Sequence, residues 1–392
     1  MLQLPKNVWL LTVAQALILS VNSSVVFIGG LIGKNLAPNP NLSTLPVACI
    51  VIGTATASVP VTILMKKIGR RASFITILSY SIVIAIGALY SIIFQSFFGF
   101  CTATFLFGAT SACAMQFRFA AMESVSAELV PRAASNVLLG GIVAAILGPE
   151  VALYGKDLLS VEYSGSFLLL AGLFFICLLV LLPFKNPLAE TSKTTSGQRK
   201  LSEIAKQPLF WVAILSATVG YAVMSFIMTA TPVSMHVIDG LSLQSTKWVI
   251  QSHILAMFVP SLFAAWIISK LGITRMMIIG LFAYLVCIGV AYSSHHLNHY
   301  WISLILLGIG WNFLFIGGTT LLPRTYQPSE RFIVQAFNEF IVFGAQAIAS
   351  LSAGWIIFAI GWESLLLATL PFILMMLFII IKWAPKRAFA VP

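Results

Sequence analysis

Apolar residues run through this chain in blocks of about twenty or more, separated by short polar turns, and the blocks neither alternate in strand fashion nor confine their apolar positions to one helical stripe. Blocks of that length match the bilayer. Its hydrocarbon core is about 30 Å thick, a helix crosses it in about 20 residues, and a helix satisfies its own backbone where no water can. The pattern predicts spans over residues 8–33, 43–65, 72–95, 97–121, 134–156 and 164–184, then 209–237, 246–269, 273–294, 300–323, 331–359 and 363–383. The fold class expected is an all-α polytopic membrane protein of 12 transmembrane helices in two pseudo-symmetric six-helix bundles. The one long polar stretch, Lys185 to Pro208, lies near the middle of the chain and divides it into an N-terminal bundle over 1–186, a cytoplasmic linker over 187–207 and a C-terminal bundle over 208–392. The first block exceeds the apolar region of a cleavable signal and leads into further spans, so it reads as a mature first helix.

Composition agrees: 59% of the 392 residues are hydrophobic and 8% are charged, against roughly a quarter charged in a soluble domain. A net charge of +11 would point to nucleic acid in a soluble protein, but here the placement of the basic residues accounts for it. With the N-terminus in the cytoplasm, 18 of the 22 Lys and Arg fall in cytoplasmic segments, whereas Lys34, Lys156 and Lys247 fall outside and Arg118 lies within a span. The expected location is the inner (plasma) membrane, multi-pass, with both termini cytoplasmic and no nucleic-acid partner. Cys49, Cys101, Cys113, Cys177 and Cys287 all lie within spans and lack metal or redox spacing, so they read as packing residues, with neither a metal site nor a cofactor expected. No phosphate-binding glycine loop and no cluster of nucleophile, acid and base appears, which argues against a nucleotide-driven pump and against an enzyme.

The two halves echo each other. The turn after the second span reads Lys66-Lys67-Ile68-Gly69-Arg70-Arg71, and the turn after the eighth reads Ser269-Lys270-Leu271-Gly272-Ile273-Thr274-Arg275. Glu162-Tyr163-Ser164 opens the sixth span and Trp362-Glu363-Ser364 the twelfth, each leading into a Leu-rich run.

On these residues the chain resembles the major facilitator superfamily over essentially its whole length. The signature of that family between helices 2 and 3 maps onto Thr62, Leu64, Lys66, Lys67, Gly69, Arg70 and Arg71, with its first Gly and its Asp replaced, the latter by Lys66. The resemblance implies a gating role for Gly69, Arg70 and Arg71, while the Asp-dependent part of the family's cytoplasmic contact has no counterpart. A second resemblance runs from the end of the fourth span into the fifth, through Gln116 to Ala121, Glu123, Pro131 to Ser135, Gly140-Gly141 and Gly148-Pro149; the last pair looks like part of the family's antiporter motif in helix 5, but Ala144, Ala152 and Leu153 stand where glycines are expected. Gly148 and Pro149 are therefore read as a bendable gating segment and not as a sign of export.

The resemblance also implies that helices 1, 4, 7 and 10 line a cavity, and polar residues concentrate there: Gln15, Asn22, Gln116, Arg118, Tyr221 and Asn312 are substrate-binding candidates, joined by Trp311 and by Asn338 in the eleventh span. Charged groups at membrane depth cost about 2.5–3.5 kcal/mol each and call for an explanation. Arg118 can hold a carboxylate or phosphate or pair with an internal acid. Glu339, Glu150 and His253 are the proton-coupling candidates, set against the plainer roles of an interhelical bond, an interfacial acid and a packed histidine. His295, His296 and His299 share a short loop whose spacing gives little support to a metal site.

The function expected is a secondary active transporter that moves a small organic solute by alternating access, is proton-coupled, and acts as a monomer in the lipid bilayer. The alternatives are an uncoupled facilitator, a siderophore or drug permease working in either direction, and a membrane sensor or scaffold that does not transport.

Overall fold

The computed structural model describes residues 4–38, 42, 45–186 and 199–384. Among them, eleven helices are long and apolar enough to cross a membrane, and a further pair, Trp248–Phe258 with Ser261–Leu271, passes the same test as one span bent by 45°. Counting that pair once gives the twelve spans that the hydropathy pattern predicts. The chain separates into two compact units, the first formed by Met1–Thr195 with Phe332–Phe340 and the second by Ser196–Arg331 with Ile341–Pro392. Residues 187–198 of the expected linker lie outside the described residues, and the rest of it carries one short helix, Leu201–Ile204.

In the first unit the spans are α1 (Lys6–Leu36), α2 (Leu45–Ile68), α3 (Arg70–Ile93), α4 with α5 (Phe97–Met115 and Phe117–Glu123), α6 with α7 (Val130–Leu138 and Gly140–Tyr154) and α8 (Ser164–Leu181). Phenylalanines knit them together: Phe74 meets Phe117 edge-on at 4.8 Å, Phe100 meets Phe167 at 5.4 Å and Phe107 meets Phe174 at 5.6 Å. Several hydroxyls at membrane depth are satisfied inside their own helices, as in Ser20 to the Ala16 carbonyl at 2.7 Å and Thr62 to the Ser58 carbonyl at 2.8 Å, because no solvent is available to them. The Gly69 hinge between α2 and α3 has φ 82° and ψ 162°, a conformation open to glycine and strained for any other residue.

The second unit contains α9 (Leu201–Ile204), α10 (Pro208–Pro232), α11 (Leu243–Phe258), α12 (Ser261–Leu271), α13 (Ile273–Ser293), α14 (Leu297–Leu321), most of α15 (Arg331–Leu367) and α16 (Leu370–Trp383). The α12–α13 hinge, Gly272, has φ 81° and ψ 157°, almost the values of Gly69. The echo between the two turns is thus structural as well as textual. Further along the unit, α10 runs on into a π-helical turn, Val233–Ile238, and α15 breaks at Gly361, whose φ is 86°, so that its last residues, Glu363 among them, belong to the final span, Ala359–Trp383. Tyr284 donates to the Gly220 carbonyl at 2.7 Å and Ser216 to the Leu314 carbonyl at 2.8 Å, tying α10 to α13 and α14.

Candidate functional site

Arg118 and Glu339 form a buried ion pair within the first unit, since residues 332–340 of α15 cluster with it. Arg118 lies in α5, just past the break at Gln116, and its Nη2 donates to Glu339 Oε1 at 2.5 Å; the two side chains are 2% and 1% exposed. Asn338 donates to the same carboxylate oxygen at 2.8 Å, and the Arg118 guanidinium also lies 4.7 Å from the centre of the Phe119 ring. Oε2 of Glu339 has no hydrogen-bond partner among the described residues. A carboxylate with one oxygen held by a cation and the other buried without a protein donor among the described residues can accept a proton, and doing so would neutralise it and weaken its grip on the guanidinium.

A second cluster in this unit centres on Arg70, the first residue of α3. Its buried guanidinium holds Glu123 through two bonds, Nη2 at 2.6 Å and Nε at 2.9 Å, donates to Gln335 at 2.8 Å, and reaches Gln116 at 3.4 Å. Gln335 also donates to Glu123 at 3.1 Å, and the Phe332 ring lies 5.2 Å beneath the Arg70 guanidinium. Glu123 and Gln335 are partners that sequence reasoning did not assign to Arg70. Arg71 behaves differently: it faces outward and caps the end of α8 through the Leu182 carbonyl at 2.7 Å, its own N–H donating to Asn186.

The remaining candidates of the first unit do not join either cluster. Gln15 is buried with its Oε1 unpartnered among the described residues, and Asn22 accepts from Ser111 at 3.1 Å. Gly148 gives α7 a close approach to α1: its carbonyl accepts from Ser24 at 2.6 Å, and a Cβ there would meet the Ser20 carbonyl at 2.6 Å. Pro149 follows within an unbroken helix. Glu150 is exposed, forms no hydrogen bond or ion pair among the described residues, and borders an open apolar groove with Tyr154, Leu168 and Gly172.

In the second unit the aromatic candidates come together. Trp311 stacks on Phe315 with centroids 5.0 Å apart and planes 16° from parallel, and Tyr221 stands edge-on to Trp311, Phe315 and Phe343 at 5.2, 5.1 and 5.3 Å. Trp311 is buried, and its Nε1–H has no acceptor among the described residues. Phe315 and Phe343 carried no distinguishing signal in a Phe-rich sequence. Asn312, one position on, points elsewhere: its Nδ2 donates to the Met257 carbonyl and to Ser261 Oγ, both at 2.7 Å. It therefore holds the break between α11 and α12, where Pro260 interrupts the backbone bonds. His253 is buried with Nδ1 donating to the Leu304 carbonyl at 2.7 Å, an interhelical tie, while Nε2 faces no partner among the described residues.

Comparison with known proteins gives this arrangement its family. The model of the Major Facilitator Superfamily matches residues 8–246 and 234–391. The chain belongs to that superfamily. It is a multi-pass membrane protein of a transporter family, and it is 34% identical over 389 residues to the riboflavin transporter RfnT of Brucella anthropi, covering 98% of both chains. An uncharacterised transporter of the same superfamily from Bacillus subtilis, YddS, is 27% identical over 348 residues, covering 83% of this chain and 79% of its own. Among solved structures, a bacterial homologue of the iron transporter ferroportin superposes with TM-score 0.73 at 13% identity, covering 96% of this chain and 99% of that one. The E. coli fucose:proton symporter FucP gives TM-score 0.71 at 17% identity, covering 97% and 98%. Those two likenesses establish the fold alone.

Proposed function

We propose that this superfamily member is a secondary transporter of the inner membrane that moves riboflavin, or a flavin of the same flat tricyclic class, by alternating access, with proton binding at Glu339 coupled to the cycle. The observation that carries the coupling is the Arg118–Glu339 pair, two opposite charges at membrane depth with a carboxylate oxygen left unpartnered among the described residues. Such a pair has two chemically distinct states. With Glu339 ionised the guanidinium is held; with Glu339 protonated the guanidinium is released to an anionic or carbonyl-rich solute.

The substrate class is supported by the 34% identity to a riboflavin transporter along nearly the whole of both chains, together with the Tyr221, Trp311, Phe315 and Phe343 cluster. Flat aromatic faces favour a flat aromatic solute, and a Trp N–H that lacks an acceptor suits a ring system rich in carbonyl and imine acceptors. Both termini are assigned to the cytoplasm by the 18-to-3 distribution of basic residues. The test is uptake of labelled riboflavin by cells that lack their own uptake route and express this chain, with and without an imposed proton gradient.

A further inference from the structure

His295 lies in the turn between α13 and α14, outside the spans, and both of its ring nitrogens face carboxylates. Nδ1 is 3.0 and 3.1 Å from the two oxygens of Asp239, and Nε2 is 2.8 Å from Glu363 Oε1. Asp239 also accepts from the Tyr300 hydroxyl at 2.7 Å, and the Ser234 hydroxyl stands 2.5 Å from Tyr300, positioned to donate to it. Each element supplies one member: Asp239 follows the π-helical turn at the end of α10, Tyr300 belongs to the first turn of α14, and Glu363 follows the Gly361 kink in α15. Among the described residues these are the titratable groups around His295, since His296 and His299 face each other with ring centroids 6.2 Å apart. The two carboxylates lie on opposite sides of the ring, so the group does not converge on a common point as metal ligands would.

Ionised carboxylates only accept hydrogen bonds, so an imidazole bridging two of them must donate from both nitrogens. Only the imidazolium does that. Two of the elements tied in this way carry Tyr221 in α10 and Trp311 and Phe315 in α14, and the third, which bears Glu363, opens the last span directly after the Gly361 break that ends the helix carrying Phe343.

We propose that His295, protonated on both nitrogens, is a positioning residue that clasps the end of α10, the start of α14 and the start of the last span just past Gly361, and so holds the aromatic cluster in its working arrangement. Its link to substrate affinity rests on the flavin reading above, whereas the clasp itself does not. Deprotonation removes one donor, and one of the two carboxylate ties is lost.

The hydrogen bond that His295 donates to Asp239, aided by the one to Glu363, raises the His295 pKa above its ordinary value of 6.5, against a smaller opposing effect of burial. A group whose pKa is raised by folding lends stability that is complete below about 6.5 and drains away as the pH climbs through the folded value. The clasp is therefore closed at mildly acidic pH and opens on the alkaline side.

The experiment is thermal unfolding of the purified full chain from pH 5.5 to 9, with riboflavin KM measured in proteoliposomes over the same range, for wild type, His295→Gln and Glu363→Gln. The wild-type midpoint should fall by a few degrees as pH rises, and KM should rise several-fold with less change in kcat. His295→Gln should show neither dependence and should sit at the wild-type alkaline values. Glu363→Gln keeps a neutral acceptor, so its midpoint transition should shift to lower pH; it serves as the second variant if His295→Gln folds poorly. A wild-type midpoint independent of pH, the same pH dependence in His295→Gln, or an unshifted transition in Glu363→Gln would each overturn the clasp. The expected midpoints with no riboflavin uptake at any pH would leave the clasp standing and remove the flavin reading. The expected midpoints with a KM indifferent to pH would confine His295 to stability and overturn its positioning role.

Discussion

Arg118 and Glu339 stand 221 positions apart in the chain, yet the guanidinium donates to the carboxylate at 2.5 Å with both side chains almost wholly buried. Removing one member of such a pair leaves a charge in a dry environment, at a cost of about 3–5 kcal/mol, whereas replacing both with apolar side chains of similar volume is often neutral. That asymmetry separates structure from coupling. Arg118→Ala should sharply lower the unfolding midpoint, and Arg118→Met combined with Glu339→Leu should recover most of it while remaining unable to accumulate substrate. A double variant that accumulates substrate at the wild-type level would make the pair a structural relic.

Glu339→Gln refines the test. The amide keeps an acceptor for Arg118 but cannot gain or release a proton, so gradient-driven accumulation should be lost while exchange of substrate across the membrane without a gradient continues. Full accumulation by well-folded Glu339→Gln protein would remove the carboxylate from coupling.

Arg70 and Arg71 are adjacent and should behave unequally. Arg70 is buried, gripping Glu123 and Gln335, whereas Arg71 faces outward and caps α8. Arg70→Ala should reduce the maximal transport rate by about tenfold or more, equivalent to about 1.4 kcal/mol on the limiting step, with little change in KM. Arg71→Ala should change the rate less than about threefold, corresponding to about 0.6 kcal/mol. Initial rates over a range of substrate concentrations decide it, and equal losses from the two substitutions would contradict the assignment.

Asn312→Ala should act on folding and not on recognition. Its amide satisfies the Met257 carbonyl and Ser261 at the α11–α12 break, and leaving such groups unpaired in a dry interior costs about 1–3 kcal/mol. The expected outcome is a lower unfolding midpoint with an unchanged KM in the protein that folds. A raised KM at an unchanged midpoint would return Asn312 to the substrate site.

The division into spans was legible because hydropathy over twenty residues is set by the bilayer and needs no knowledge of tertiary contacts. The breaks were not. Pro60 and Pro149 lie in continuous helices, while the helices at Gln116 and Leu139 end without any proline at the break, because a helix breaks where its neighbours resatisfy the freed backbone. Gly69 and Gly272 could be matched from the sequence because a tight hinge demands glycine locally. At the site, the cost of charge in a membrane singled out Arg118 and Glu339 individually, but nothing in one sequence reports that residues 221 positions apart meet. His295 illustrates the same limit: its loop neighbours suggested other histidines as company, and its partners come from 56 and 68 positions away.

The central claim is that this chain carries a flavin by means of the aromatic cluster in α10, α14 and α15. Its most direct test is uptake of labelled riboflavin into proteoliposomes containing purified wild-type protein or Trp311→Ala. Wild type should take up riboflavin saturably, and Trp311→Ala should raise KM by about 2- to 10-fold, the equivalent of losing about 0.5–1.5 kcal/mol of aromatic contact. No saturable riboflavin uptake by folded wild-type protein, or uptake indifferent to the loss of Trp311, would contradict it.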